Sequence, residues 1–322
     1  MMKHIAYLFL FLCLGFCLRA QSSEMKPPVK QTYIYSIKGK DTLRLDKYEG
    51  QINIGEPKPC MIFLFGGGFY TGQRDGDYYI PYFEFLTQNG FTVISIDYRL
   101  GFATLTDDGK TGLRGFVKLL KNTIDMAVED LFDATNFVLA RAEEWNLNKA
   151  EIVASGSSAG AITVLQGAYE ISTASRIAAV LPPGFNYAGI ISFAGAIFSN
   201  KGNLKWGNNT APIQLFHGDA DRNVPYNKIK FCKLGFFGSK NIAKRLDKYN
   251  LPYYFYTARY TDHKLAATPM YDNREEILIF LNQYVFGQKA RQTNVSVFPL
   301  DQPAVKTNFS IFDYIRANIP QN

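Results

Sequence analysis

Hydrophobic positions in this chain follow two spacings that take turns. Continuous apolar runs of strand length occupy residues 61–65, 92–98, 151–155, 189–193 and 212–216, with more mixed runs at 33–37 and 253–260. Helical spacing separates them, over residues 78–88, 122–144, 159–170, 241–249 and 273–285. A strand buried on both faces reads as an unbroken apolar run, as these do. Strands alternating with helices predict an α/β fold, a mostly parallel central sheet of about eight strands with helices on both faces. In such a sheet, reactive residues gather beyond the carboxyl ends of the strands. Neither internal repeats nor low-complexity tracts interrupt the pattern.

Candidate chemistry stands where the runs end. The run 151–155 passes into Gly156-Ser157-Ser158-Ala159-Gly160, and helical composition follows at once. A strand-to-helix turn this tight strains its central residue and lifts the Ser158 side chain clear of the sheet, and glycines on both sides keep Cβ atoms out of the crossing. A serine hydroxyl needs a base, and histidine suits the task near neutral pH. The chain has three histidines, His4, His217 and His263. His4 falls in an N-terminal leader. His263 follows the aromatic run and is read as the base, with His217 the alternative. At the end of a strand and before a glycine, His217 is expected to brace the loop that follows. That loop offers Asp219 and Asp221 as the orienting acid. Asp221 has the reach across the sheet's end, whereas Asp219 suits a turn former. Asp262, adjacent to His263, points elsewhere. The run 61–65 enters Gly66-Gly67-Gly68-Phe69, whose bare backbone can aim successive N–H groups at one oxygen. Gly67, Gly68 and Ala159 are the expected oxyanion donors. The glycine spacing is not that of a dinucleotide-binding loop.

These segments resemble the α/β-hydrolase superfamily, specifically its carboxylesterase and hormone-sensitive-lipase-like esterases. Four signatures carry the resemblance in the family's order: Gly66-Gly67-Gly68-Phe69, Ser95-Ile96-Asp97-Tyr98-Arg99-Leu100, Gly156-Ser157-Ser158-Ala159-Gly160, and the stretch from His217 to Pro225, with His263 where the family places its base. The order Ser158, Asp221, His263 is the superfamily's own. The resemblance implies an α/β-hydrolase fold and a serine ester hydrolase working through an acyl-enzyme without cofactor or metal. Two positions depart from the pattern. Phe65 stands where a histidine usually precedes the glycines, and Ser157 where these esterases often have glutamate or aspartate. An exported esterase rich in aromatics suggests acetyl or feruloyl groups on carbohydrate as substrate. A serine peptidase or lipase on the same scaffold is the rival, and a non-catalytic binding module the rival of another class.

At 322 residues and 47% hydrophobic content, the chain can bury one large core. Residues 1–20 read as a secretory leader cleaved after Ala20, since their apolar run is too short to span a membrane. A polar lead-in at 21–32, a hydrolase domain at 33–286 and a C-terminal extension at 287–322 follow. The extension is expected to lie on the surface, anchored by Phe298, Phe309, Phe312 and Tyr314. Residues 101–123 exceed a minimal connection and are expected to form a lid, a substrate rim or an ordered surface insertion. Removing the leader takes away Lys3 and Arg19 and no acid, so the formal charge falls from +7 to +5. That surplus is spread along the chain, which argues for a solvated basic face rather than nucleic-acid binding. Cys60 and Cys232 remain, either bridged or as two unpaired, buried thiols. No Cys/His grouping has zinc-site spacing.

Overall fold

The computed structural model describes residues 27–51, 55–103, 113–207, 209–300, 303–305, 307 and 309–310. The leader, residues 104–112 of the expected insertion, and the anchors Phe312 and Tyr314 lie outside the described residues. Among the described residues the strands are β1 (Val29–Lys38), β2 (Asp41–Glu49), β3 (Lys58–Leu64), β4 (Thr92–Ile96), β5 (Leu147–Ser157), β6 (Gly189–Phe193), β7 (Ala196–Ser199), β8 (Ile213–Gly218), β9 (Lys228–Phe231), β10 (Leu234–Gly238), β11 (Tyr253–Ala258) and β12 (Gln292–Val297). Nine form one sheet in the order β1-β2-β4-β3-β5-β6-β8-β11-β12. β1 and β2 are antiparallel, and from β4 to β12 every pairing is parallel. A small antiparallel sheet, β7-β10-β9, flanks it. Every residue of β4, β6 and β8 is buried, as their unbroken apolar runs require.

The helices are α1 (Ile80–Gln88), α2 (Leu113–Ala140), α3 (Ala159–Ser172), α4 (Ser239–Lys248), α5 (Pro269–Asp272) and α6 (Arg274–Phe280), the last continued by a π-helical turn over Leu281–Phe286. α1 packs with α5, and α2 packs with α3. α3 is buried almost all round, which its small residues permit. A Cβ on Gly167 would stand 3.2 Å from Leu131 and 3.3 Å from Phe132, so glycine there lets α3 approach α2 closely. Among the described residues no helix is long and apolar enough to cross a membrane.

Three differences from the sequence expectations stand out. The helix expected at 122–144 begins at Leu113, so the described second half of the 101–123 segment forms its first turns. The sheet continues past the boundary drawn at 286, because β12 pairs with β11 as its ninth strand. Beyond it, Phe298 is half exposed and sets its ring edge-on to Tyr260, while Phe309 packs on the core. Cys60 and Cys232 are both free. Cys60 is buried in β3, which pushes its thiol pKa up, and Cys232 is exposed in the β9–β10 turn.

Candidate active site

The three chain segments that carry Ser158, Asp221 and His263 leave the sheet at the carboxyl ends of β5, β8 and β11. Ser158 holds φ 49° and ψ −110°, a conformation that costs a non-glycine residue about 1–3 kcal/mol. The turn is fixed by the Ser158 N–H, which donates to the Phe193 carbonyl at 2.9 Å, and by the Ile162 N–H on the Ser158 carbonyl at 2.9 Å. The flanking glycines are required by contact. A Cβ on Gly160 would lie 2.1 Å from the Leu64 oxygen, and one on Gly156 would lie 2.4 Å from the Gly160 carbonyl carbon.

Ser158 Oγ lies 2.8 Å from His263 Nε2, and His263 Nδ1 lies 2.6 Å from Asp221 Oδ2. These partners set the tautomer: Nδ1–H donates to the carboxylate, and Nε2 accepts a hydrogen bond from the Ser158 hydroxyl. Asp221 Oδ1 accepts the N–H groups of Asn223 and Val224 at 2.8 and 2.9 Å. Burial alone pushes the Asp221 pKa up, but the hydrogen bonds from His217 and His263 outweigh it and hold the carboxyl well below its ordinary range. The acid therefore stays ionised beside the imidazole.

The other candidates fall into supporting places. His217 is fully buried, with Nδ1 2.8 Å from Ser239 Oγ and Nε2 3.2 Å from Asp221 Oδ2 and 3.3 Å from the Val224 carbonyl. It braces the acid loop, as its strand-end position implied. Asp219 accepts the Tyr260 N–H at 2.5 Å and Arg259 Nε at 2.8 Å, which shapes the turn leading to His263. Asp262 accepts the Lys264 N–H at 3.0 Å and so caps the short helical turn that carries His263.

Gly67, Gly68 and Phe69 hold φ values of 130°, 63° and 64°, three successive residues on the left-handed side. A Cβ on Gly67 would stand 2.0 Å from the Thr71 oxygen. The loop packs against the serine turn, since a Cβ on Gly66 would be 3.3 Å from Ser158 Cβ. Among the described residues, the Gly67 and Gly68 N–H groups have no hydrogen-bond partner. Ala159 opens α3, where helix geometry leaves the first N–H groups unpaired.

Both departures from the family pattern have a structural answer. Phe65 is buried and stacks on Tyr98, ring centroids 4.5 Å apart, and the Tyr98 hydroxyl donates to the Phe65 carbonyl at 2.8 Å. The Gly66 N–H donates to the Tyr79 hydroxyl at 2.9 Å. Two tyrosines thus brace the loop where a histidine usually does. Ser157 Oγ donates to the Ala266 carbonyl at 2.7 Å, tying the serine turn to the segment just after His263. Tyr98 is itself held by its neighbours. Arg99 clasps Asp130 of α2 with Nε at 2.9 and 3.0 Å, and Arg74 bridges Asp97 at 2.9 Å and the buried Asp46 at 3.0 Å. The sequence marks Asp97-Tyr98-Arg99 as a signature, but only the structure shows what it supports. Beside this loop, Phe102 brings together the rings of Phe69, Tyr70 and Phe116, at 6.1, 5.1 and 6.1 Å.

Known proteins match both the sequence and the fold. Esterase B1 of Culex pipiens is 27% identical over 129 residues, covering 38% of this chain and 21% of that protein. Juvenile hormone esterase of Tribolium castaneum is 26% identical over 155 residues, covering 46% of this chain and 24% of that protein. The matches thus span about a quarter or less of these curated relatives' length. Esterase 2 of Thermogutta terrifontis, phosphonylated by cyclosarin, superposes with a TM-score of 0.58 at 18% identity, over 81% of this chain and 96% of its own. That likeness is one of fold, and the fold is that of the α/β-hydrolases. A model of the Carboxylesterase family matches residues 17–177, half of the chain, and the chain therefore belongs to the carboxylesterase family.

Proposed function

We propose that this chain is a serine ester hydrolase acting through an acyl-enzyme on Ser158. The observation that carries the reading is the continuous chain of hydrogen bonds from Ser158 Oγ through the His263 ring to Asp221, at 2.8 and 2.6 Å, on a strained strand-to-helix turn. Ser158 Oγ attacks the ester carbonyl carbon while His263 Nε2 takes its proton, and Asp221 stabilises the imidazolium that forms. The carbonyl oxygen, now an oxyanion, is held by the N–H groups of Gly67, Gly68 and Ala159. As the C–O bond to the alcohol breaks, His263 returns the proton to the departing oxygen. Water then attacks the acyl carbon, with His263 again taking the proton, and Ser158 is released. No step calls on a cofactor or metal.

The chain is exported on its leader, residues 1–20, and its substrates are acetyl or feruloyl esters of carbohydrate. The half-buried Tyr70 beside the glycine loop supports such a substrate, because a flat ring suits sugars and phenolic acyl groups. The phosphonylation of T. terrifontis esterase 2 by cyclosarin supports a nucleophile of the same kind here. Hydrolysis of 4-nitrophenyl acetate by the wild type and by Ser158→Ala tests the reading. Release of nitrophenol by the wild type alone is expected, and equal release by both proteins refutes it.

A further inference from the structure

Asp221 Oδ2 faces two imidazoles, and only one of them stands in the proposed proton path. His263 Nδ1 lies 2.6 Å from this oxygen, and His217 Nε2 lies 3.2 Å from it. Behind His217 stands Ser239, the first residue of α4, whose Oγ is 2.8 Å from His217 Nδ1. We propose that Ser239 is a positioning residue for the reaction: its hydroxyl holds the His217 ring with Nε2–H aimed at Asp221, which limits how strongly the acid draws on the His263 proton. The assignment rests on the ester-hydrolase reading above.

The direction of each bond follows from its partners. His217 Nε2 meets the Asp221 carboxylate and, at 3.3 Å, the Val224 carbonyl, and neither of these can donate. Nε2 therefore carries the hydrogen. In the neutral ring Nδ1 is then an acceptor, and the Ser239 hydroxyl donates to it. Among the described residues Ser239 Oγ has no other hydrogen-bond partner, so a doubly protonated ring would leave its proton without an acceptor. Ser239 and His217 are both fully buried, and bulk water does not replace a bond lost there.

The backbone holds Ser239 in this place. On either side of it, the Gly238 N–H donates to the Asn227 carbonyl at 2.7 Å and the Lys240 N–H to the Tyr226 carbonyl at 2.9 Å. A Cβ on Gly238 would lie 1.5 Å from the Pro225 oxygen, so only glycine lets α4 start this close to the acid loop. Tyr226 in turn sets its ring edge-on to His217, with centroids 5.7 Å apart. The acid loop and the residue behind its second imidazole are thus fastened together.

Two donors on one carboxylate oxygen share its negative charge. Burial raises the Asp221 pKa, and the bonds from His217 and His263 more than reverse that. When His217 loses its hold, the charge falls on His263 alone, and the protonated His263 ring persists to higher pH. The other charged or titratable groups bordering His263 are Arg222, Tyr260, Asp262 and Lys264, with Asp219 paired to Arg259 behind them. Beside His217 stands Tyr226, with Lys240 over its ring. A substitution at Ser239 leaves all of these groups in place.

The test compares Ser239→Ala, which removes the hydroxyl, with Ser239→Thr, which keeps it, through the pH profile of kcat/KM for 4-nitrophenyl acetate. In Ser239→Ala the acid limb is expected to move up by about half a pH unit, and plateau kcat to fall about three- to tenfold with KM unchanged. Ser239→Thr should keep the limb at its wild-type position. Adding Ser239→Ala to His217→Phe should move the limb no further, because the hydroxyl acts through the ring. A limb that stays in place in Ser239→Ala overturns the assignment. So does a limb displaced equally by Ala and Thr, or one that moves again in the double variant. If the wild type cleaves no ester, it is the ester-hydrolase reading that falls. NMR titration of the His263 ring without substrate then reads the assignment alone: a midpoint higher in Ser239→Ala than in the wild type supports it, and equal midpoints end it.

Discussion

Replacing Asp221 by asparagine changes one oxygen to an amide and should disable the site without unfolding it. In the native protein Oδ1 accepts two backbone N–H groups, and Oδ2 accepts His263 Nδ1–H and faces His217 Nε2. An asparagine that keeps the backbone bonds must turn its NH2 toward both imidazoles. His263 then meets a donor where it had an acceptor, so its ring takes the other tautomer and presents Nε2–H to Ser158. A protonated Nε2 cannot take the serine proton. By the behaviour of such triads, kcat should fall about 10³–10⁴-fold, or about 4–5.5 kcal/mol of barrier, with KM little changed. Steady-state hydrolysis of 4-nitrophenyl acetate measures this, and circular dichroism checks the fold. A loss below about tenfold in a folded variant refutes the role given to Asp221. The same carboxyl has a signature in stability. Its pKa is lower in the folded protein than in the unfolded chain, so the unfolded chain takes up the proton first as pH falls. The stabilisation is complete above the unfolded value of about 4 and is lost as pH drops from there through the folded pKa. Melting temperature should therefore fall more steeply toward low pH in the wild type than in Asp221→Asn, and parallel slopes contradict the reasoning.

Ser157→Ala removes the donor to the buried Ala266 carbonyl and should cost about 1–3 kcal/mol of stability. Because that bond ties the serine turn to the histidine segment, kcat should fall more than KM rises, and Ser157→Thr should recover part of it; an unchanged kcat contradicts the tie. In a chain beginning at Gln21, a thiol reagent should modify Cys232 in the native protein and Cys60 only after denaturation, because Cys60 is buried and its thiol held protonated. Mass spectrometry of the modified peptides reads the result, and early labelling of Cys60 contradicts its burial.

The meeting of Ser158, Asp221 and His263 was legible because each comes within five residues after a strand-length run, and because histidines are few. The glycines were legible for the same reason: side-chain-free positions at a strand's end announce close backbone contact. What stayed hidden depends on partners distant in sequence. β2 carries Asp46 and Lys47, which argue against a buried strand until Thr32 and Arg74 meet the first and Glu49 the second. β12 mixes polar residues with two separated valines and is partly exposed, so it has no apolar run to betray its place at the sheet's edge. The β9–β10 hairpin is similarly exposed along β9. Phe65 and Ser157 could be seen as departures, but the tyrosines and the Ala266 carbonyl that answer them come from other segments.

The central claim is that Ser158 is the nucleophile. Intact-mass and peptide mass spectrometry after treatment with paraoxon tests it most directly, because a serine activated by His263 displaces nitrophenolate and keeps the diethyl phosphoryl group. The account predicts one adduct, on Ser158, appearing as esterase activity disappears and absent from Ser158→Ala and much slowed in His263→Ala. Complete loss of activity with the adduct on another residue, or no adduct at all on an active enzyme, contradicts it.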